Sequence, residues 1–216
     1  MNPAISVDEL LSTTRTVRRR LDLERPVDMG LIDECLQLAQ QAPSGGNRQT
    51  AVFVVVTDAE LRAEIGEAYR RGFERYRRES VGSGPPTAET DPAKRRPQAR
   101  IATSAKYLAQ NMHRVPVHVI PCVRPRTDDA PPVVQASTFG SVLPAAWSFM
   151  LAARARGLGT AWTTVHLFCE DEVARLLGIP DDHMQVALIP TAHYTGEGFA
   201  AGPRNDLDAF RRINGW

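Results

Sequence analysis

A helix-spaced apolar series runs without pause into the polar octet APSGGNRQ, residues 42–49, and the octet runs straight into six apolar residues, AVFVVV. Nothing else in the chain confines its fold so tightly. Leu31, Ile32, Cys35, Leu36, Leu38 and Ala39 recur at helical spacing, which predicts an amphipathic helix over 29–41 with one face on the core. Pro43 disfavours helical geometry at Ala42, and Gly45 and Gly46 admit backbone angles other residues avoid, so the helix stops here and exposes backbone amides. The strand that follows, 51–56, lacks polar alternation and is expected to be buried on both faces. Within the octet Ser44, Asn47 and Gln49 offer a hydroxyl and two amides that suit the edge of a planar ligand. A polar turn before a buried strand is the plainer reading of the same residues.

Upstream, Ser6 and Glu9 have capping-box spacing and predict a short helix over 7–14 that delivers the chain to Arg15. From there the sequence is RTVRRR, placing Arg15, Arg18, Arg19 and Arg20 within six residues, with Thr16 among them. Four guanidinium groups so close repel one another unless solvated or gathered round an anion, and phosphate matches their forked donors best. A solvated basic turn is the alternative.

Downstream, residues 61–78 can be helical, but the stretch through Pro97 carries Gly82, Gly84, Pro85, Pro86 and Pro92. A lid insertion at about 62–100 is therefore expected. Tyr69, Phe73 and Tyr76 are interleaved with arginines, as on nucleic-acid-binding surfaces, yet their spacing is that of one helix face and favours packing. Helical spacing returns at 101–113, then comes an apolar strand at 115–123. A helix over 139–156, apolar on nearly every face, is expected at the centre of the core and stops at Gly157. A strand-like segment at 159–165, a helix at 170–177 ending at Gly178 and a strand at 186–190 follow. Residues 196–216 lack periodicity and are expected to pack on something, a second subunit included.

With 216 residues, 43% of them hydrophobic, one domain spanning 1–216 is the expectation. The net charge of +1 gives no general bias toward nucleic acid. No secretory start and no run of about 18 apolar residues is present, so a cytoplasmic protein without a membrane span is expected. Cys35, Cys122 and Cys169 are far apart and read as reduced thiols. The histidines show no ligand spacing, so no metal is expected, and nucleotide-binding and serine-hydrolase motifs are missing. An arginine cluster for phosphate and a polar glycine loop for a flat ring, with no evident acid, base or nucleophile, point to a bound cofactor that supplies the reactivity.

RTVRRR followed by PVDMGLIDECLQLAQQAPSGGNRQ resembles the signature start of the nitroreductase family of flavin-dependent oxidoreductases, and RARGLGTAWTT and GPRNDLDAF resemble its later signatures. The resemblance implies an α+β fold, a central mixed sheet flanked by helices, built as an intertwined homodimer with FMN at the subunit interface. Carried over by position, Arg15, Thr16, Val17 and Arg19 match the segment holding the flavin phosphate and ribityl chain, with Arg18 close enough to share it. Ser44 and Asn47, with Pro43 and Gln49, match the loop along the isoalloxazine edge. Trp162, Thr163 and Thr164 match the segment that approaches the ring, and Arg204 matches a C-terminal arginine that reaches the phosphate. Tyr69, Phe73 and Tyr76 are candidates for lid contacts to substrate. Three positions depart from the pattern: Thr14 stands where a first arginine is frequent, Arg20 where an aromatic is common and Thr50 where proline is. The implied activity passes electrons from NADH or NADPH through FMN to a nitroaromatic, quinone or similar acceptor in two steps. Reductive dehalogenation, flavin breakdown and flavin sequestration without turnover are the alternatives.

Overall fold

The computed structural model describes residues 5–79 and 92–216, the side chains of 92–98 excepted. In chain order its regular elements are α1 (Val7–Thr13), α2 (Met29–Ala39), β1 (Ala51–Val56), α3 (Ala59–Glu79), α4 (Pro92–Asn111), β2 (Val117–Val123), α5 (Pro132–Ala155), β3 (Leu158–Thr160), α6 (Glu170–Leu177), β4 (Met184–Gln185), β5 (Ile189–His193) and α7 (Leu207–Phe210). Local chemistry sets several boundaries. The Ser6 hydroxyl accepts from Glu9 N–H at 3.2 Å and starts α1, Asp28 does the same for α2 through Gly30, and Gly178 ends α6 in a left-handed conformation.

Strand β2 is the centre of the sheet, and all seven of its residues are buried. Its alternation serves two cores: Val117 and Val119 pack with α2 and α5, whereas Ile120 and Cys122 pack with α3, α4 and α6. The strand order is β1-β2-β5-β3, with β4 also on β2, and every ladder is antiparallel. The one parallel pairing among the described residues is the bridge Thr16↔Thr160, which adds the arginine segment to the outer edge of β3.

The structure corrects several sequence expectations. The AVFVVV strand, β1, is a sheet edge rather than a doubly buried strand, and Val52 is 49% exposed. Residues 62–79 of the expected lid belong to the core helix α3, because Ile65, Ala68, Tyr69 and Phe73 form one apolar face seated in the first core. Residues 80–91, including Gly82, Gly84, Pro85 and Pro86, lie outside the described residues. The last long strand is β5, displaced three residues from the expected span, because Thr191 is buried yet satisfies its own hydroxyl on the Ile189 carbonyl at 3.0 Å. Residues 196–216 carry little regular structure, and Phe210, Ile213 and Trp216 are exposed.

Helix α5 is long and apolar enough to cross a membrane by length and composition. One face of it is nevertheless core: Ala146, Phe149 and Ala153 pack against α2 and the sheet, with the Phe149 and Phe53 rings 6.3 Å apart. The opposite face leaves Val133, Leu143 and Trp147 exposed.

Two outcomes test this packing. A Cβ at Gly72 would run into the Val165 carbonyl oxygen, so α3 must press directly on the turn at 165–169. Gly72→Ala should therefore cost about 2 kcal/mol or more, where alanine in an unobstructed helix would gain about 0.5–1 kcal/mol. A raised melting temperature would show that α3 is not seated as described.

His118 and His166 are fully buried, and neither ring nitrogen of His166 has a partner among the described residues. Burial pushes His118 down to about 4, against a Met112 carbonyl bond that raises it, and pushes His166 down to about 3 with help from His118. The unfolded chain takes up both protons near pH ~6.5, while the fold refuses them until about 4 and 3. Stability should fall as pH drops below about 6.5 and go on falling toward pH ~3. Urea midpoints that stay level from about pH 7 to pH 4 would contradict this.

Candidate functional site

Val17 N–H donates to the Thr160 carbonyl at 2.8 Å, and this bond fixes the arginine segment along β3. The Val17 side chain is buried against Gly159, where a Cβ would come within 3.1 Å of it, so the close approach depends on glycine. Strand alternation then turns Thr16 and Arg18 away from the core. The segment forms one wall of a cleft of about 1020 Å³, closed by α4 at Ile101 and Ser104, by Trp147 and Met150 of α5, by Trp162 and by residues 198–204.

Among the described residues the cleft is lined by six arginines, Arg15, Arg18, Arg19, Arg20, Arg100 and Arg204, and by no aspartate or glutamate. Arg18 Nη1 donates to Ser104 Oγ at 3.3 Å, and burial holds its guanidinium below the usual arginine value, with Tyr69 acting in the opposite sense. Arg15 Nη1 is buried and has no hydrogen-bond partner among the described residues. Arg20 differs from the arrangement expected of the cluster: its guanidinium donates to the carbonyls of Thr195, Glu197 and Gly198.

The octet at 42–49 is elsewhere. Gly45 N–H donates to Ser141 Oγ at 2.9 Å, and a Cβ on Gly45 would lie 2.7 Å from Ser137 Oγ, so the loop is pressed onto the first half of α5. Gly46, Asn47 and Gln49 all have positive φ, at 59°, 52° and 51°. That conformation is costly for Gln49, and such strain persists where the surroundings hold it. The Ser44 hydroxyl accepts from Gln49 N–H at 3.2 Å, and Gln49 Nε2 donates to Asn47 Oδ1 at 3.1 Å. Pro43, Ser44, Asn47 and Gln49 do not line the arginine cleft. The loop borders a second pocket of about 230 Å³ with Arg48, Thr50 and Arg124 among its walls.

The remaining predicted residues divide in the same way. Arg15, Thr16, Val17, Arg18, Arg19, Trp162 and Arg204 meet at the cleft. Thr163 instead turns inward, its hydroxyl 3.0 Å from the Tyr69 hydroxyl, and Thr164 is exposed outside the cleft. Tyr69 and Phe73 sit in the core and Tyr76 is exposed beyond it, so none of the three reaches the cleft; the helix-face spacing was the better guide to them. Ser104, Trp147 and Phe199 line the cleft without having been expected there. Only Trp147 had a signal, as a large residue on a helix too apolar to hide every face.

A buried cationic donor without a partner, neighbouring guanidinium groups and the indoles of Trp147 and Trp162 fit a phosphorylated, flat aromatic group. A sequence model of the nitroreductase family matches residues 11–193. The chain belongs to the nitroreductase family. Members of this family use FMN. Among solved structures this nitroreductase-family chain is similar to oxidized iodotyrosine deiodinase bound to FMN and 3-iodo-L-tyrosine, with 21% identity, 98% of this chain and 100% of that one covered, and a TM-score of 0.73. It is similar also to the FMN- and NADPH-dependent nitroreductase NfnB from sphigopyxis sp. strain HMH (24% identity, 98% and 100% covered, TM-score 0.69). A BluB-like flavoprotein from Clostridium difficile 630 matches at 17% identity over 96% and 98% of the chains, with a TM-score of 0.70. At these identities the three show a shared fold.

The state of Arg15 yields a prediction. Arg15→Met keeps most of the stem and removes a desolvated donor that lacks a partner, so the apoprotein should melt at the same temperature or higher. Added FMN, expected to stabilise the native protein by about 2.7 kcal/mol at a hundredfold excess over its dissociation constant, should no longer do so in the variant. A variant that melts lower and still responds to FMN would show that Arg15 serves the fold.

Proposed function

We propose that the arginine cleft holds FMN by its phosphate end, and that the protein passes electrons from a reduced nicotinamide to a nitroaromatic, quinone or similar small acceptor in two successive half-reactions. The observation that carries this reading is Arg15 Nη1, buried and without a partner among the described residues, in a cleft whose described charged lining is guanidinium. A desolvated cation with no carboxylate beside it is costly alone and favourable around an anion. Arg15, Arg19 and Arg204 hold the phosphate, Arg18 stays tied to Ser104 at its flank, and Trp162 and Met150 keep water from the inner wall. Bound there, FMN supplies the hydride acceptance and electron release that none of these side chains provides.

The reading includes a homodimer. Ser44, Asn47 and Gln49 are placed away from the cleft of their own chain, so a second copy supplies them to the flavin edge. The exposed Leu143 and Trp147 of α5 and the exposed Phe210, Ile213 and Trp216 are apolar surface of the kind such a contact buries.

The purified protein should be yellow, and heat should release one FMN per chain. Anaerobic NADH or NADPH should bleach the colour, and a quinone should sustain continuous nicotinamide oxidation. A colourless protein that takes up no added FMN overturns the reading. Bound FMN that neither nicotinamide bleaches would overturn the donor alone.

A further inference from the structure

We infer that Arg20 is a positioning residue: it clamps residues 195–204 across the cleft and thereby places Arg204 against the anion, an inference that rests on the phosphate site proposed above. All three nitrogens of the Arg20 guanidinium donate to one short stretch of backbone: Nε to Thr195 O at 2.7 Å, Nη1 to Gly198 O at 3.1 Å, and Nη2 to Glu197 O. Three of its five N–H donors are thus committed to neutral oxygens on a single turn. Gly196, between them, has φ +76°, and a Cβ there would approach Arg20 Nη2 to 3.3 Å, so both the bend and the close guanidinium depend on glycine.

The same side chain supports the segment from below. The Arg20 guanidinium stacks 4.3 Å from the Phe199 ring centre, and the Arg154 guanidinium lies 4.9 Å from that centre while donating to the Tyr194 hydroxyl at 2.8 Å. The Phe199 and Tyr194 rings are 4.8 Å apart. Two cations and two aromatic rings therefore lock the segment just before it crosses the cleft.

Gly198 and Phe199 of the lock, and Ala200 and Arg204 beyond it, all line the cleft. Gly202 passes so close to the Arg15 guanidinium that any side chain there would collide with it. Arg204 itself is exposed, and among the described residues its one hydrogen bond is to the adjacent Pro203 carbonyl, so its position is inherited from the backbone that carries it. Arg20 thus offers a stacking surface to Phe199 and three anchors to the backbone at once.

The test compares FMN with riboflavin, which lacks the phosphate, as quenchable fluorescent ligands of the full-length protein. Arg20→Ala should weaken FMN by about tenfold or more while leaving riboflavin nearly unchanged. The double variant Arg20→Ala/Arg204→Ala should bind FMN no worse than Arg20→Ala alone, because the clamp acts through Arg204. Arg20→Lys keeps the charge but cannot span three carbonyls, so it should behave like the alanine variant. A protease cutting after glutamate should cleave at Glu197 faster in both Arg20 variants than in the wild type, with no flavin present.

Equal loss of FMN and riboflavin, additive losses in the double variant, or FMN affinity retained by Arg20→Lys would each overturn the clamp. So would unchanged cleavage at Glu197. Failure of the wild type to bind FMN would instead sink the proposed function, and the placement of Arg204 with it, whatever the protease shows.

Discussion

A backbone hydrogen bond from Val17 N–H to the Thr160 carbonyl ties the charged segment to β3, and bonds from Thr195 N–H to the Arg20 carbonyl and from Asp22 N–H to the His193 carbonyl hold its far end. The Val17 bond extends the edge of β3, drives Val17 into the space Gly159 leaves, and by the two-residue period of an extended chain sends Arg18 toward the cleft. Every later feature of the site presupposes it. The tail segment can cross the cleft only because the wall it crosses to is fixed, and Ser104 of α4 can meet Arg18 only because Arg18 is aimed outward.

Charge is what this wall costs. The chain as a whole is nearly neutral, yet among the described residues six guanidinium groups and no carboxylate line one cleft. Arg126 shows how the same chain treats an arginine with a purely structural part: Glu170 accepts from it twice at 3.0 Å, Asp128 and the His183 carbonyl accept as well, and the Glu170 and Asp128 carboxylates raise its pKa. Against that standard the cleft arginines are under-satisfied in a graded way. All three nitrogens of Arg20 donate to backbone carbonyls, Arg18 has one hydroxyl, and Arg15 keeps a buried donor with no partner among the described residues. An anion between them completes what the fold leaves open.

Much of this was legible in the residues. RTVRRR marked the segment that the structure places along the cleft, and Ser6, Gly157 and Gly178 marked helix boundaries that the backbone confirms. What the pattern could not carry was place. The apolar run of β1 reads the same whether a strand is central or at an edge, and only the pairing with β2 decides it. The Gly and Pro residues after 80 coloured the reading of 62–79 as a lid, although the spacing of Tyr69 and Phe73 already described a core face. Arg20 looked like one more phosphate ligand because its true acceptors lie some 175 residues further along the chain. Ser104 and Phe199 were invisible for the same reason: long-range closure has no local signature.

The two halves of the proposed site lie in different pockets of one chain, and that separation makes complementation the most direct measurement of the account. One variant, Arg15→Ala/Arg204→Ala, spoils only the cleft; another, Ser44→Ala/Asn47→Ala, spoils only the loop. Each homodimer alone should bind FMN poorly. Mixing and re-forming dimers should restore one intact site per heterodimer, read as bound FMN per heterodimer by native mass spectrometry. Recovery of no FMN in verified heterodimers, or full FMN binding by the loop variant alone, would contradict a site shared between two copies.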